Sequence, residues 1–124
     1  MSLRTPLGRA RGLGSAKGGT HHWWMQRLTA VALLPLVIWF IVAMIGRLGA
    51  DHGAISTWLA APLPAVLMIL FIVAMFHHAQ LGLQVVIEDY VHSEGVKFAL
   101  LTIVKLASIA FAVAGVFAVF KVAF

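Results

Sequence analysis

Cysteine is absent from this 124-residue chain, acidic residues are scarce, and charge of either sign is thin. Without a thiol there is no disulfide framework, no thiolate metal site and no cysteine nucleophile, and cysteine usage gives no reading of the redox compartment. Charged residues make up 10% of the chain, where soluble domains carry about a quarter, and 62% is hydrophobic, where soluble domains run nearer half. A chain this short cannot hide so much apolar surface in one core, because small domains bury a low fraction of their area. That argues against a soluble globular enzyme. It argues equally against a disordered chain, which needs low hydrophobicity and high charge. Four Asp and Glu stand against nine Lys and Arg, for a formal charge of +5. A pI near 10.5 can signal nucleic acid, but the mean hydropathy of +1.01 points to the membrane instead. On membrane proteins, basic tails mark the cytoplasmic side and anionic lipid.

Long hydrophobic runs are what the chain does have. Leu28 to Ile45 is 18 residues without a charge, ending at Gly46-Arg47. Leu63 to Ile87 is 25 residues, interrupted by Pro64, His77, His78, Gln80, Gly82 and Gln84. Phe98 to Phe120 is 23 residues with one charge, Lys105. About 20 apolar residues carry a helix across the ~30 Å hydrocarbon layer. Only helices or closed barrels satisfy their backbone groups there, and three short strands cannot close a barrel. The expectation is an all-α membrane protein whose three transmembrane helices, at about 24–47, 63–89 and 97–121, form part of a multi-subunit helix bundle. Residues 1–20 are expected to be a flexible basic tail, although their Arg-rich, acid-free composition also suits a transit peptide. Pro35 is expected to kink the first helix, a loss of backbone bonding that a bundle tolerates.

Residues 1–27 carry Arg4, Arg9, Arg11, Lys17 and Arg27 and no acid, whereas 46–62 has only Arg47 and the C-terminus only Lys121. The positive-inside rule therefore puts the N-terminus in the cytoplasm and the C-terminus in the periplasm. The bacterial inner membrane is favoured over the mitochondrial inner membrane.

Ionisable side chains inside a bilayer are expensive and mark functional sites. His77 and His78 are the clearest instance, although neutral histidines can also serve only to hydrogen-bond neighbouring helices. At ~100° per residue, His78, Gly82, Val85 and Asp89 fall on one stripe and His77, Leu81, Gln84 and Glu88 on another. Gly82 lacks a side chain, so a flat macrocycle or another helix could approach beside His78. If one imidazole binds a haem iron, it is His78. A b-type haem takes two strong axial ligands. His78 lies ~16 Å inward of Asp89 by helical rise, a depth matched on the first helix near Ile38–Trp39 and on the third near Ser108. None of these is a ligand. His21, His22 and His92 are expected at the cytoplasmic boundary, and His52 in the opposite loop. A second ligand must then come from another chain, which makes this protein a subunit.

A second polar group lies at that boundary, with Glu88-Asp89-Tyr90 closing the second helix and His21 to Arg27 opening the first. Trp, Tyr and Arg form the ordinary interfacial belt of membrane helices. A phenol beside a carboxylate and a guanidinium also suits a quinone, whose two carbonyls accept hydrogen bonds and whose reduction takes up two protons. Lys105 is expected to snorkel to the cytoplasmic headgroups.

These residues carry a resemblance to a known family. The stretch HHAQLGLQVVIEDYVH holds His78, Gly82 four residues on, and Asp89-Tyr90 eleven and twelve residues after the His. With His21 followed by Arg27-Leu28-Thr29-Ala30, it resembles a hydrophobic membrane-anchor subunit of succinate dehydrogenase, respiratory complex II, over about residues 20–120. The adjacent His77 departs from that pattern. The resemblance implies a four-subunit complex in which a flavoprotein oxidises succinate and an iron–sulfur subunit carries electrons to the membrane. Two anchor chains, this one and a second membrane-anchor subunit, would hold haem b and ubiquinone. His78 would be one axial ligand of the haem iron, with Gly82 clearing the ring, and the partner anchor would give the other ligand. His21 and Arg27 would lie close to the haem propionates and quinone pocket. Tyr90 would hydrogen-bond a quinone carbonyl and Asp89 would support that site. The chain alone would catalyse nothing, and no nucleic acid is expected. The competing reading is a non-catalytic three-helix structural subunit of another membrane complex.

Overall fold

The computed structural model describes residues 17–124, so most of the expected flexible tail, residues 1–16, lies outside the described residues. The described residues form four helices and no strand: α1 (Lys17–Ile45), α2 (His52–Ala60), α3 (Pro62–Tyr90) and α4 (Glu94–Ala123). Lys17 to Thr20, expected in the tail, belong to α1. α1 runs unbroken through Pro35. Each long helix outruns the apolar segment that announced it. An apolar run marks what sits in hydrocarbon, whereas the helix ends where its caps are. Gly49, at φ 81°, takes the left-handed conformation that closes the turn after α1. Asp51 then caps α2, its Oδ1 accepting from Ala54 N at 2.8 Å. Pro62 opens α3 in the first turn, where its missing N–H costs nothing. Ser93 caps α4, whose first turn carries Glu94 and whose last carries Lys121, both matched to the helix dipole.

α3 is the centre of the bundle. α1 and α4 both pack on it and, among the described residues, not on one another. Phe40 stacks on Phe71 with ring centroids 4.7 Å apart, and Phe76 on Phe111 at 6.0 Å. α4 comes closest where Gly115 meets Ile72: a Cβ on Gly115 would lie 2.9 Å from Ile72 Cγ2. α2 folds back across the end remote from Tyr90, where Ser56 Oγ donates to Val122 O at 2.6 Å. There Leu59, Val119 and Ala123 are buried against Trp58, Met68, Ile69 and Ile72. Arg47 lies over Trp58 at 3.8 Å, and Trp58 stacks on Trp39 at 6.1 Å. Elsewhere Leu34, Ile38, Val42, Leu83, Ile103, Leu106 and Phe117 are exposed, and the long helices are apolar all round. Such faces suit lipid and partner helices. The chain is an integral membrane protein with three helices long and apolar enough to span.

α1 and α3 are both 29 residues and pair end to end. Thr29, twelve residues from Lys17, hydrogen-bonds His78, twelve residues from Tyr90. At 1.5 Å per residue each helix is ~43 Å long, well beyond a hydrocarbon layer of ~30 Å. Each long helix is therefore longer than that layer, and its ends, Tyr90 on α3 among them, project beyond it.

Candidate functional site

His78 is held by α1. Thr29 is 7% exposed, and its single hydroxyl proton has two carbonyls in reach, Met25 O at 2.7 Å and Gln26 O at 3.2 Å. A threonine inside a helix commonly makes this backward bond. With its proton so placed, the oxygen facing His78 Nδ1 at 3.0 Å can only accept. With the hydroxyl proton assigned to Met25 O, the nearer carbonyl, the imidazole carries its proton on Nδ1 and leaves a lone pair on Nε2, the form in which histidine binds metals. His78 is half-buried, and its Nε2 makes no hydrogen bond among the described residues. One turn on, a Cβ built on Gly82 would meet nothing within 4 Å. The open ground beside His78 agrees with the stripe of His78 and Gly82.

His77 faces the other way. It lines a cavity of about 490 Å³ in the cleft between α1 and α4, with His21, His22, Gln80, Lys105 and Ser108. Its Nε2 is buried without a partner. His22 Nε2 donates to Leu81 O at 3.3 Å. Of the histidines expected at the boundary, His21 and His22 line this cavity, beside Gln80 and His77. The level of His78 on α1 is Thr29, not Ile38–Trp39, because α1 begins at Lys17 and Arg27 lies well inside it. Ser108 does stand near this level on α4.

Tyr90 is 76% exposed at the end of α3, with Asp89 and Glu88 also exposed. Glu88 accepts from Gln84 Nε2, and Gln84 accepts from Gln80 Nε2, each at 3.1 Å. Tyr90 is ~18 Å and Asp89 ~16 Å along the axis from His78. Arg27 packs its guanidinium on Trp23, 5.3 Å from the ring centroid. Two residues from Thr29, it stands at the depth of His78 rather than of Tyr90. The structure thus divides the sequence-derived candidates into three places. His78, Gly82 and Arg27 share a depth, His21 joins His77 in the cavity, and Asp89 and Tyr90 share the projecting end of α3. Among the described residues, no three His, Asp or Glu side chains converge on a metal-sized position. Sequence reasoning gave Thr29 no role, although it stands in the Arg27-Leu28-Thr29-Ala30 run. Its signal was a hydroxyl in an otherwise apolar span.

Residues 1–119 match the family described as succinate dehydrogenase/fumarate reductase transmembrane subunit. The succinate dehydrogenase hydrophobic membrane anchor subunit of Rickettsia bellii is 36% identical over 118 residues, covering 95% of this chain and 94% of the relative. The protein of the same name from Rickettsia conorii is 37% identical over 119 residues, again 95% and 94% of the two chains. That of Paracoccus denitrificans is 33% identical over 90 residues, 73% and 70% of the two. A match over nearly the whole length, on a chain with three spanning helices, places the protein: it belongs to the family of succinate dehydrogenase/fumarate reductase transmembrane subunits.

Proposed function

We propose that this chain is the anchor subunit of a succinate:quinone oxidoreductase, in which His78 gives one axial ligand to haem b and Tyr90 and Asp89 serve ubiquinone. The observation that carries the haem reading is the Thr29–His78 bond at 3.0 Å. A packing histidine has no need of a fixed tautomer. A ligating one has its second nitrogen bonded by an outer partner and its ligand nitrogen free, and His78 has both. Among the described residues, nothing lies within 4 Å of a Cβ built on Gly82. The other axial ligand comes from the second anchor subunit. Arg27, level with His78, offers a fork of donors for a carboxylate such as a propionate. Haem b, when bound, supplies one-electron storage between iron–sulfur centre and quinone.

The remaining work falls to the projecting end. Tyr90 donates its O–H to a quinone carbonyl and Asp89 stands by as a proton-accepting group. The iron–sulfur subunit docks on this face, with the flavoprotein beyond it, because the basic residues before Leu28 place it in the cytoplasm. Electrons then reach quinone near Tyr90 without crossing the hydrocarbon. The deciding experiment is the visible spectrum of the purified complex carrying His78→Ala or His77→Ala. The first substitution should remove or shift the b-haem bands and the second leave them nearly intact. Equal loss in both, or loss in His77→Ala alone, overturns the assignment.

A further inference from the structure

Among the described residues, the turn between α3 and α4 leaves three polar side chains without a partner. Glu88 accepts from Gln84 Nε2 at 3.1 Å, Ser93 Oγ accepts from Val96 N at 3.5 Å, and Glu94 pairs with Lys97 at 3.5 Å. Asp89, Tyr90 and His92 are exposed and uncommitted. On α1, which reaches the same end, His21 and His22 line the cavity instead. The link of residues 91–93 is extended at Val91 and Ser93 and tied at both ends, Val91 N donating to Ile87 O at 3.0 Å and Lys97 N to Ser93 O at 2.8 Å. Val91 is half-buried between its exposed neighbours, Tyr90 and His92. Two residues of chain span at most ~7 Å, so the imidazole of His92 stands within a side chain's reach of the Tyr90 phenol.

We propose that His92 is the proton donor of this end, refilling Tyr90 after the phenol has given its proton to a reduced quinone oxygen, an assignment that rests on Tyr90 serving quinone. Reduction takes two electrons, brought by the iron–sulfur subunit, and two protons. A carboxylate side chain holds no proton at neutral pH and a phenol holds its own firmly, whereas an imidazole gains and loses one between about pH 5 and 8. As one carbonyl oxygen is reduced, its O–H bond forms while that of Tyr90 breaks. The phenolate oxygen then takes a proton from the imidazolium of His92. The imidazole is left neutral and regains its proton from water at the exposed turn. The route carries one proton per quinol, and the other carbonyl oxygen, across the ring from Tyr90, takes its proton from water.

The test uses the whole purified complex, with succinate-driven ubiquinone reduction followed across the histidine titration range and each rate divided by that with a soluble acceptor. The wild-type ratio should fall as pH rises through that range, because imidazolium is the donating form. His92→Gln keeps a polar side chain that cannot pass a proton. It should lower the ratio at neutral pH about ten-fold or more, toward the ~100-fold that a positioned proton donor contributes. It should also abolish the fall with pH, while KM for quinone stays nearly unchanged. Imidazole added to His92→Ala should restore the rate, and added to Tyr90→Phe should not. An unaltered rate in His92→Gln, a fall with pH that survives it, or no rescue of His92→Ala by imidazole would each overturn the proposal. Slow quinone reduction in Tyr90→Phe beside an unaltered His92→Gln strikes the relay alone, whereas wild-type rates in both strike the quinone reading of this end as well.

Discussion

Replacing Thr29 by alanine tests the chain of reasoning that runs from one hydroxyl proton to a redox potential. Thr29 commits its proton to Met25 O at 2.7 Å and accepts from His78 Nδ1 at 3.0 Å. Thr29→Ala leaves the Nδ1–H without an acceptor at a position only 7% exposed in the wild type. A buried donor left unmade costs about 1–3 kcal/mol. Loss of an outer partner to a metal-ligating histidine typically weakens the metal about 10–100-fold. The bond also makes His78 a better donor to iron, and that helps the ferric form more than the ferrous. If the two states differ in this benefit by ~1 kcal/mol, the midpoint potential rises by ~40 mV for one electron. The assay is a redox titration of the b-haem band in the purified complex, with haem content per subunit measured in parallel. Thr29→Ser keeps the hydroxyl and should restore wild-type behaviour, whereas Thr29→Val keeps the shape and should not. Unchanged potential and haem content in both Thr29→Ala and Thr29→Val would falsify the tautomer argument. A wild-type complex with no haem b would sink the haem reading of His78 itself, so the two failures are distinguishable.

Three further outcomes follow from the same geometry. Tyr90→Phe keeps the ring but removes its O–H, so quinone reduction should fall several-fold, for a lost bond of ~1 kcal/mol. Succinate oxidation with an acceptor that draws electrons from the soluble subunits should hold, as should the haem spectrum. A wild-type rate of quinone reduction would make Tyr90 an interfacial anchor only. Gly115→Leu forces a side chain into Ile72, which a bare Cβ would already approach to 2.9 Å. It should destabilise the α3–α4 contact by about 1–3 kcal/mol, seen as a lower thermal midpoint of the complex than with the exposed control Ala114→Leu. A reporter fused after Phe124 should be exposed on the periplasmic side, opposite the basic N-terminus. A cytoplasmic signal there would invert the orientation and move the iron–sulfur docking face to the other end.

The spans were legible because hydrophobicity responds to the bilayer directly, and every apolar run found its helix. The helix ends were less so, since they depend on caps and on what lies outside the hydrocarbon. α1 reaches back to Lys17 because Arg27 does not interrupt a helix that projects through the interface. The run from His21 to Arg27 is rich in aromatics and has no proline to stop it. Taking Leu28 as the inner boundary displaced the depth scale of α1 by about nine residues, from Thr29 to Ile38. α2 was legible in principle. Asp51 three residues before Ala54 is a cap signal, Pro62 marks the next start, and Ile55, Trp58 and Leu59 repeat at helical spacing. It is nine residues long, too short to register as an apolar run.

The adjacent histidines show what periodicity can and cannot decide. One residue along a helix is a turn of ~100°, so His77 and His78 could not share a neighbour, and the stripe through Gly82 singled out His78 from spacing alone. Spacing is silent on what a side chain meets across the interface, because that depends on how α1 slides along α3. The observed register brings the Thr29 hydroxyl against His78 Nδ1, and brings His21 and His22 to the cavity lined by His77. The two imidazoles therefore differ in chemistry as well as direction. His78 has a bonded Nδ1 and an Nε2 with no hydrogen bond among the described residues, the arrangement that the proposed haem ligand needs. The Nε2 of His77 is buried in the cavity without a hydrogen-bond partner among the described residues. A single-residue slip of α1 would move Thr29 by ~1.5 Å and ~100°. That is enough to break the bond and erase the distinction. The register in turn rests on contacts such as Phe40 on Phe71, so the Thr29–His78 bond depends on packing well away from the imidazole.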